Sequence, residues 1–106
     1  MKVLIDDIRD IEDMDIICRN STAGKAVLEL FGIDELYLDN DLGETVEGYQ
    51  ILQWAANHGL VPEKVVLVTA NPIAKQKMID ILTLDLNYTQ DKIYRNRYIR
   101  SRDEAE

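Results

Sequence analysis

The chain has 106 residues, enough for one modest hydrophobic core and too few for two. Apolar residues make up 46% of it, but no run approaches the about 18 consecutive apolar positions of a membrane span, and the opening "MKVLIDD" has neither the apolar stretch nor the small-residue cleavage site of a secretory signal, so a cytoplasmic protein is expected. A formal net charge of −8 argues against general binding to nucleic acid or to an anionic membrane.

In chain order, "KVLI" (2–5) is short and continuously apolar, as a strand buried on both faces of a parallel sheet should be. A weaker strand, "DIIC" (15–18), follows after a connection too short for a full crossover helix, so a loop or turn is expected between them. Its Cys18, the only cysteine, has no internal disulfide partner and reads as a buried inert thiol rather than a nucleophile. After Ser21-Thr22, a candidate N-cap, Ala23, Ala26, Val27, Leu30 and Phe31 recur with helical spacing, and Gly32 ends the run. "LYL" (36–38) is a second buried strand. Thr45 is placed to cap a helix with Tyr49, Leu52 and Ala56 on one stripe and His58-Gly59 at its end. "KVVLVTA" (64–70) is the strongest strand, stopped by Asn71-Pro72, and Pro72 suits the first turn of a third helix whose core face is Ala74, Met78, Ile81 and Leu82. "LTLDLNY" (82–88) alternates like an edge strand, and "DKIYRNRYIR" reads as a final helix or an extended tail. The chain thus divides into an α/β domain over 1–90 and a basic C-terminal helix or tail over 91–106, where five bases (Lys92, Arg95, Arg97, Arg100, Arg102) meet four acids. That strip either complements the acidic body in solvent or meets phosphate or nucleic acid. Alternating strands and helices imply a mostly parallel sheet.

Three strand ends carry chemistry. The first ends in Asp6-Asp7, the second in Asp39-Asn40-Asp41, and the third in Thr69-Ala70-Asn71. In open α/β sheets ligands bind outside the carboxyl ends of the strands, where strand order reverses. If the first two of these strands are neighbours, Asp6, Asp7 and Asp39 crowd together, and like charges that close call for a hard cation. Carboxylates without nearby Cys or His point to magnesium, with manganese or calcium as alternatives, and not to zinc. Thr69, Asn71, Lys75 and Lys77, with the N–H groups that begin the Pro72 helix, form a candidate anion site. Arg9 could fork onto a phosphate or pair with Asp10, Glu12 or Asp13. Tyr49 and Trp54 read as core packing rather than base stacking. Each aspartate taken alone is also an ordinary turn or cap residue.

"LIDD", "LYLD" and "LVTA" resemble the response-regulator receiver domain, in which an acidic pair holds magnesium, an aspartate accepts phosphate and a Thr/Ser-Ala step reads it. The chain departs from it in placing Asp39 only 32 positions after Asp7, a helix too few, and in having no lysine before a proline on the last strand, since Ile93 follows Lys92. It is more similar to the receiver-like family named for cyclic-phosphate processing. The matching residues are Ile5-Asp6-Asp7-Ile8-Arg9, Leu38-Asp39-Asn40-Asp41-Leu42-Gly43, Gly48-Tyr49 through Leu52 and Trp54, and Val68-Thr69-Ala70-Asn71-Pro72 with Met78. The resemblance implies a shortened receiver-like, flavodoxin-like α/β fold and magnesium-dependent processing of a cyclic phosphate on a nucleotide-derived ligand. Asp6, Asp7 and Asp39 would hold the metal. Arg9, Thr69, Asn71 and Lys75 would hold the phosphate, and Asp39, Asp41 and Thr69 would act in catalysis. Where the family pattern has histidines, this chain has Asn40 and Val68, which removes the side chain best suited to proton transfer near neutral pH. His58, the only histidine, reads as a helix-end residue. Two readings of other classes stay open: a binding or switch module without turnover, and a small acidic protein-interaction protein.

Overall fold

A computed structural model of the chain describes residues 1–101. Six strands form one sheet: β1 (Lys2–Ile5), β2 (Ile16–Cys18), β3 (Glu35–Leu38), β4 (Lys64–Leu67), β5 (Tyr88–Gln90) and β6 (Arg97–Arg100), in the order β2-β1-β3-β4-β6-β5. The first four run parallel, and β6 joins antiparallel to both β4 and β5. Three helices complete the fold: α1 (Ser21–Leu30), α2 (Gly48–Asn57) and α3 (Pro72–Asp80). This is the small, mostly parallel α/β receiver-type architecture expected, and residues 6–15 connect β1 to β2 without a helix.

Strand alternation decides where the core lies. Val3, Ile5, Leu36, Leu38, Val65, Leu67 and Tyr98 point to one face and meet Leu28, Ile51, Leu52, Ala55 and Met78 of the helices in a single apolar cluster. All three helices therefore cover the same face. Gly24 lets α1 lie close to the sheet, since a Cβ there would stand 2.7 Å from the Ile5 side chain. The α1 face differs from the expected stripe: Gly24 and Leu28 are buried with Ala23 and Val27 beside them, while Leu30 and Phe31 are exposed. Ile51 and Ala55 join Leu52 as the buried residues of α2. Cys18 is buried, and that burial raises its thiol pKa, as suits an inert group.

Four expectations need correction. Asn20, not Ser21-Thr22, caps α1, its Oδ1 accepting from Ala23 N. Glu47, not Thr45, begins α2, with Gln50 Oε1 accepting from the Glu47 N–H. Residues 82–88 are not one strand, because Leu82 is fully buried and Leu84 is 77% exposed, so the alternating leucines share no face. Ile81–Asp85 instead extend α3 as a π-helical turn, and Asn87, at φ +62°, turns the chain into β5. The segment after residue 90 is no appended tail either. Arg97–Arg100 is an interior strand, since Tyr98 is buried in the core and β4 and β5 bond to either side of it. Arg102 of the basic strip lies outside the described residues.

Candidate functional site

The chain runs outward from β1 to β2, then returns to lay β3 on the other side of β1, so strand order reverses between β1 and β3. Ile5 and Leu38 are in register there. The next residues are Asp6, whose N–H bonds Cys18 O, and Asp39, whose N–H bonds Ile5 O. The parallel ladder thus carries both aspartates to the same rim. One carboxylate oxygen from each of Asp6, Asp7 and Asp39 lies within 4.8 Å of the others. An open cleft of about 430 Å³ over them is lined by Asp6, Asp7, Ile8, Arg9, Asp39 and Asp41. Five of the site residues expected from sequence therefore come together.

Their electrostatics differ. Asp6 is 2% exposed and fully engaged: Oδ1 accepts from the N–H groups of Ile8 and Arg9, and Oδ2 accepts from Arg9 Nη1 at 2.6 Å. Arg9 therefore pairs with Asp6 and with none of the acids that follow it. Burial pushes the Asp39 carboxyl above its ordinary range, and Asp6 and Asp7 push it further against the Asn40 amide and Arg9. Asp41 is exposed and accepts from Gly43 N.

Thr69, Asn71 and Lys75 do not line this cleft. Thr69 Oγ1 accepts from Asn71 N, Asn71 Oδ1 caps α3 through Ile73 N and Ala74 N, and Lys75 Nζ donates to Asn96 Oδ1. The N–H groups expected to greet an anion are thus occupied by the chain's own cap. Lys77 lies 4.5 Å from the Tyr49 ring centre. Tyr49 and Trp54 pack on the core, and His58 ends α2 with Nδ1 against Trp54 O.

Several residues essential to this geometry were given no part in the site from sequence. Arg19 reaches over the β1–β2 loop, donating to Asp6 O, Arg9 O and Asp10 Oδ1. Asn40 is buried with its amide between Glu47 Oε1 and Tyr49 N, so position 40 ties the acidic loop to α2 and does not face the cleft. Glu44 accepts from Ser21 N and Ser21 Oγ, fastening the same loop to α1. Gly48 approaches so closely that a Cβ there would stand 1.9 Å from Asp39 O. The signals were present in sequence only as an acid or amide near a helix start.

Residues 1–84 match the family described as "Cyclic-phosphate processing Receiver domain". The chain belongs to this family. In three dimensions the receiver domain is similar to the MaeR response regulator bound to beryllium trifluoride, with a TM-score of 0.53 and 20% identity over 85% of this chain and 80% of that one. At that identity the likeness speaks for the fold. No curated protein matches the sequence. Among the described residues no helix is long and apolar enough to cross a membrane.

The donor set suits the metal that such acidic clusters take. It is all oxygen, and no Cys or His lines the cleft. Octahedral magnesium sets neighbouring ligand oxygens about 3 Å and opposite ones about 4.2 Å apart, so the three carboxylates, within 4.8 Å of one another, would draw together to hold it or manganese.

Proposed function

We propose that this receiver domain binds magnesium, or manganese in its place, on Asp6, Asp7 and Asp39, and there processes a cyclic phosphate on a nucleotide or nucleotide-derived ligand. The observation that carries this reading is the carboxylate trio at the strand-order reversal, with Arg9 on the same cleft. A bound ion would draw charge from the phosphoryl oxygens. Arg9 bonds Asp6 Oδ2 at the edge of the same cleft, so a cation that took over that carboxylate would free its guanidinium to fork onto the phosphate. Asp41, exposed on the cleft wall, is the base for the attacking water. That water's oxygen bonds phosphorus, one ring P–O bond breaks, and the departing alkoxide takes up a proton to leave a phosphomonoester. Thr69 accepts from Asn71 and keeps its hydroxyl proton to donate to a ligand oxygen that reaches the end of β4. Asn71 and Lys75 act by positioning that turn. The setting is the cytoplasm, where magnesium and phosphorylated nucleotides are at hand.

A second reading, binding without turnover, is favoured by one observation: the groups lining the cleft offer only carboxylates for proton transfer. Melting against magnesium concentration tests the site common to both. Wild type should gain about 2.7 kcal/mol at a hundredfold excess over Kd, and Asp39→Asn should gain little. No response in wild type would overturn both readings. Hydrolysis of 2′,3′- or 3′,5′-cyclic nucleotides by wild type and its loss in Asp41→Asn would establish the first, whereas magnesium-dependent binding without product would establish the second.

A further inference from the structure

The face of the sheet away from the helices poses a separate question. Leu4, Ile17, Tyr37, Val66 and Ile99 point to it, and none belongs to the core cluster. Sheets of parallel strands are covered on both faces, yet all three helices lie on one. Leu4 is enclosed, but Tyr37, Val66 and Ile99 remain partly open, and Tyr94 beside them is 60% exposed. Over β3, β4 and β6 the face hollows into a cleft of about 330 Å³ lined by Lys2, Glu35, Tyr37, Val66, Tyr94 and Arg97.

Charge narrows what can cover it. In a chain of net charge −8 this face is cationic at its rim. Lys2 and Lys64 have no ion-pair partner within 4.0 Å among the described residues, and the adjoining loop carries exposed Lys92 and Arg95. Of the acids near it, Glu35 and Asp91 are held by Arg97, and Asp15, beside Lys2 at the edge, accepts from the Lys2 N–H. A second copy docked by the same face would set cations against cations. Nucleic acid would leave the apolar floor of Val66 and Ile99 without a match.

We propose that the β3–β4–β6 face docks an amphipathic helix of a partner protein, apolar on the stripe that meets Tyr37, Val66 and Ile99 and acidic on its flanks. Such a helix, about 10 Å wide, spans two strands. The test uses three synthetic peptides of about five helical turns that share one leucine stripe and carry Glu, Gln or Lys on the flanks. The Glu peptide should bind at least about tenfold tighter than the Gln peptide at low salt, shift the amide resonances of Tyr37, Val66 and Tyr94, and lose its advantage in Lys2→Glu/Lys64→Glu at an unchanged melting temperature. Equal or tighter binding of the Lys peptide, no binding of any, or shifts confined to the helical face would overturn the proposal. So would tighter binding of a single-stranded RNA oligomer or of vesicles of anionic lipid at those residues, or self-association of the protein through them. Mapping on the wild type decides the matter even if the charge-reversed variant fails to fold.

Discussion

Asp39 and Glu44 lie on one loop and respond to protons in opposite ways. Burial raises the Asp39 carboxyl, so the folded chain holds that proton more tightly than the unfolded one does. The stability it contributes is complete at low pH and declines as pH rises past the ordinary aspartate value of about 4 through its raised one. Glu44 is lowered by the Ser21 N–H and hydroxyl, so its contribution is complete above the ordinary glutamate value and is lost as pH falls through the lowered one. Chemical denaturation across pH, with a chelator present, should therefore show Asp39→Asn losing the decline as pH rises above about 4 and Glu44→Gln losing part of the acid-side drop. At neutral pH without metal, Asp39→Asn should be the more stable protein by on the order of 1 kcal/mol, the scale of one carboxylate repulsion near water. Asn40 is the residue whose part in the site the sequence left open. A histidine in the resembling pattern suggested chemistry at position 40, but the side chain is spent on Glu47 and Tyr49. Asn40→Ala should cost about 1–3 kcal/mol, the penalty for stranding buried partners, and should weaken magnesium binding only through loss of the fold, a distinction that calorimetry below the melting temperature would draw.

At the scale of elements, the acidic loop is a strap between two helix starts, and Gly48 sets its height. An alanine there must displace Asp39 O or the start of α2. Gly48→Ala should destabilise by more than about 4 kcal/mol and abolish the magnesium response at temperatures where the chain remains folded; retention of full metal affinity would show that the loop has another way to seat. Asn71→Ala removes a cap worth about 1 kcal/mol and should lower the melting temperature by a few degrees. The strand ends were legible in sequence because a buried strand must stop where carboxylates begin, and Pro72 was legible because its ring dictates a first-turn place. The Asp6–Arg9 pair and the reach of Arg19 were not, since they depend on how a ten-residue connection folds back, which no periodicity records. The alternation of 82–88 misled because two packing partners, the core for Leu82 and solvent for Leu84, overrode its period of two.

For the whole molecule, the family match ends at residue 84, yet the sheet does not. β6 closes the edge of β4, carries buried Tyr98, and among the described residues is the only partner of β5. Truncation after residue 90 should therefore leave a chain without a cooperative melting transition, whereas a true tail could be removed with little effect. Net charge and the single cysteine were enough to bound the class of protein. The division at residue 90 was not recoverable from composition, because Arg97 and Arg100 look solvated in sequence while Tyr98, between them, is core. The strand order also has a consequence for synthesis. β5 leaves the ribosome before β6 but sits outside it, so the edge of β4 stays open until Arg97–Arg100 emerge. The rim bearing Asp6 and Asp39 belongs to strands made much earlier. During translation this protein assembles its candidate site before it covers β4, and until β6 is made the nascent chain carries both the open edge of β4 and an unpaired β5.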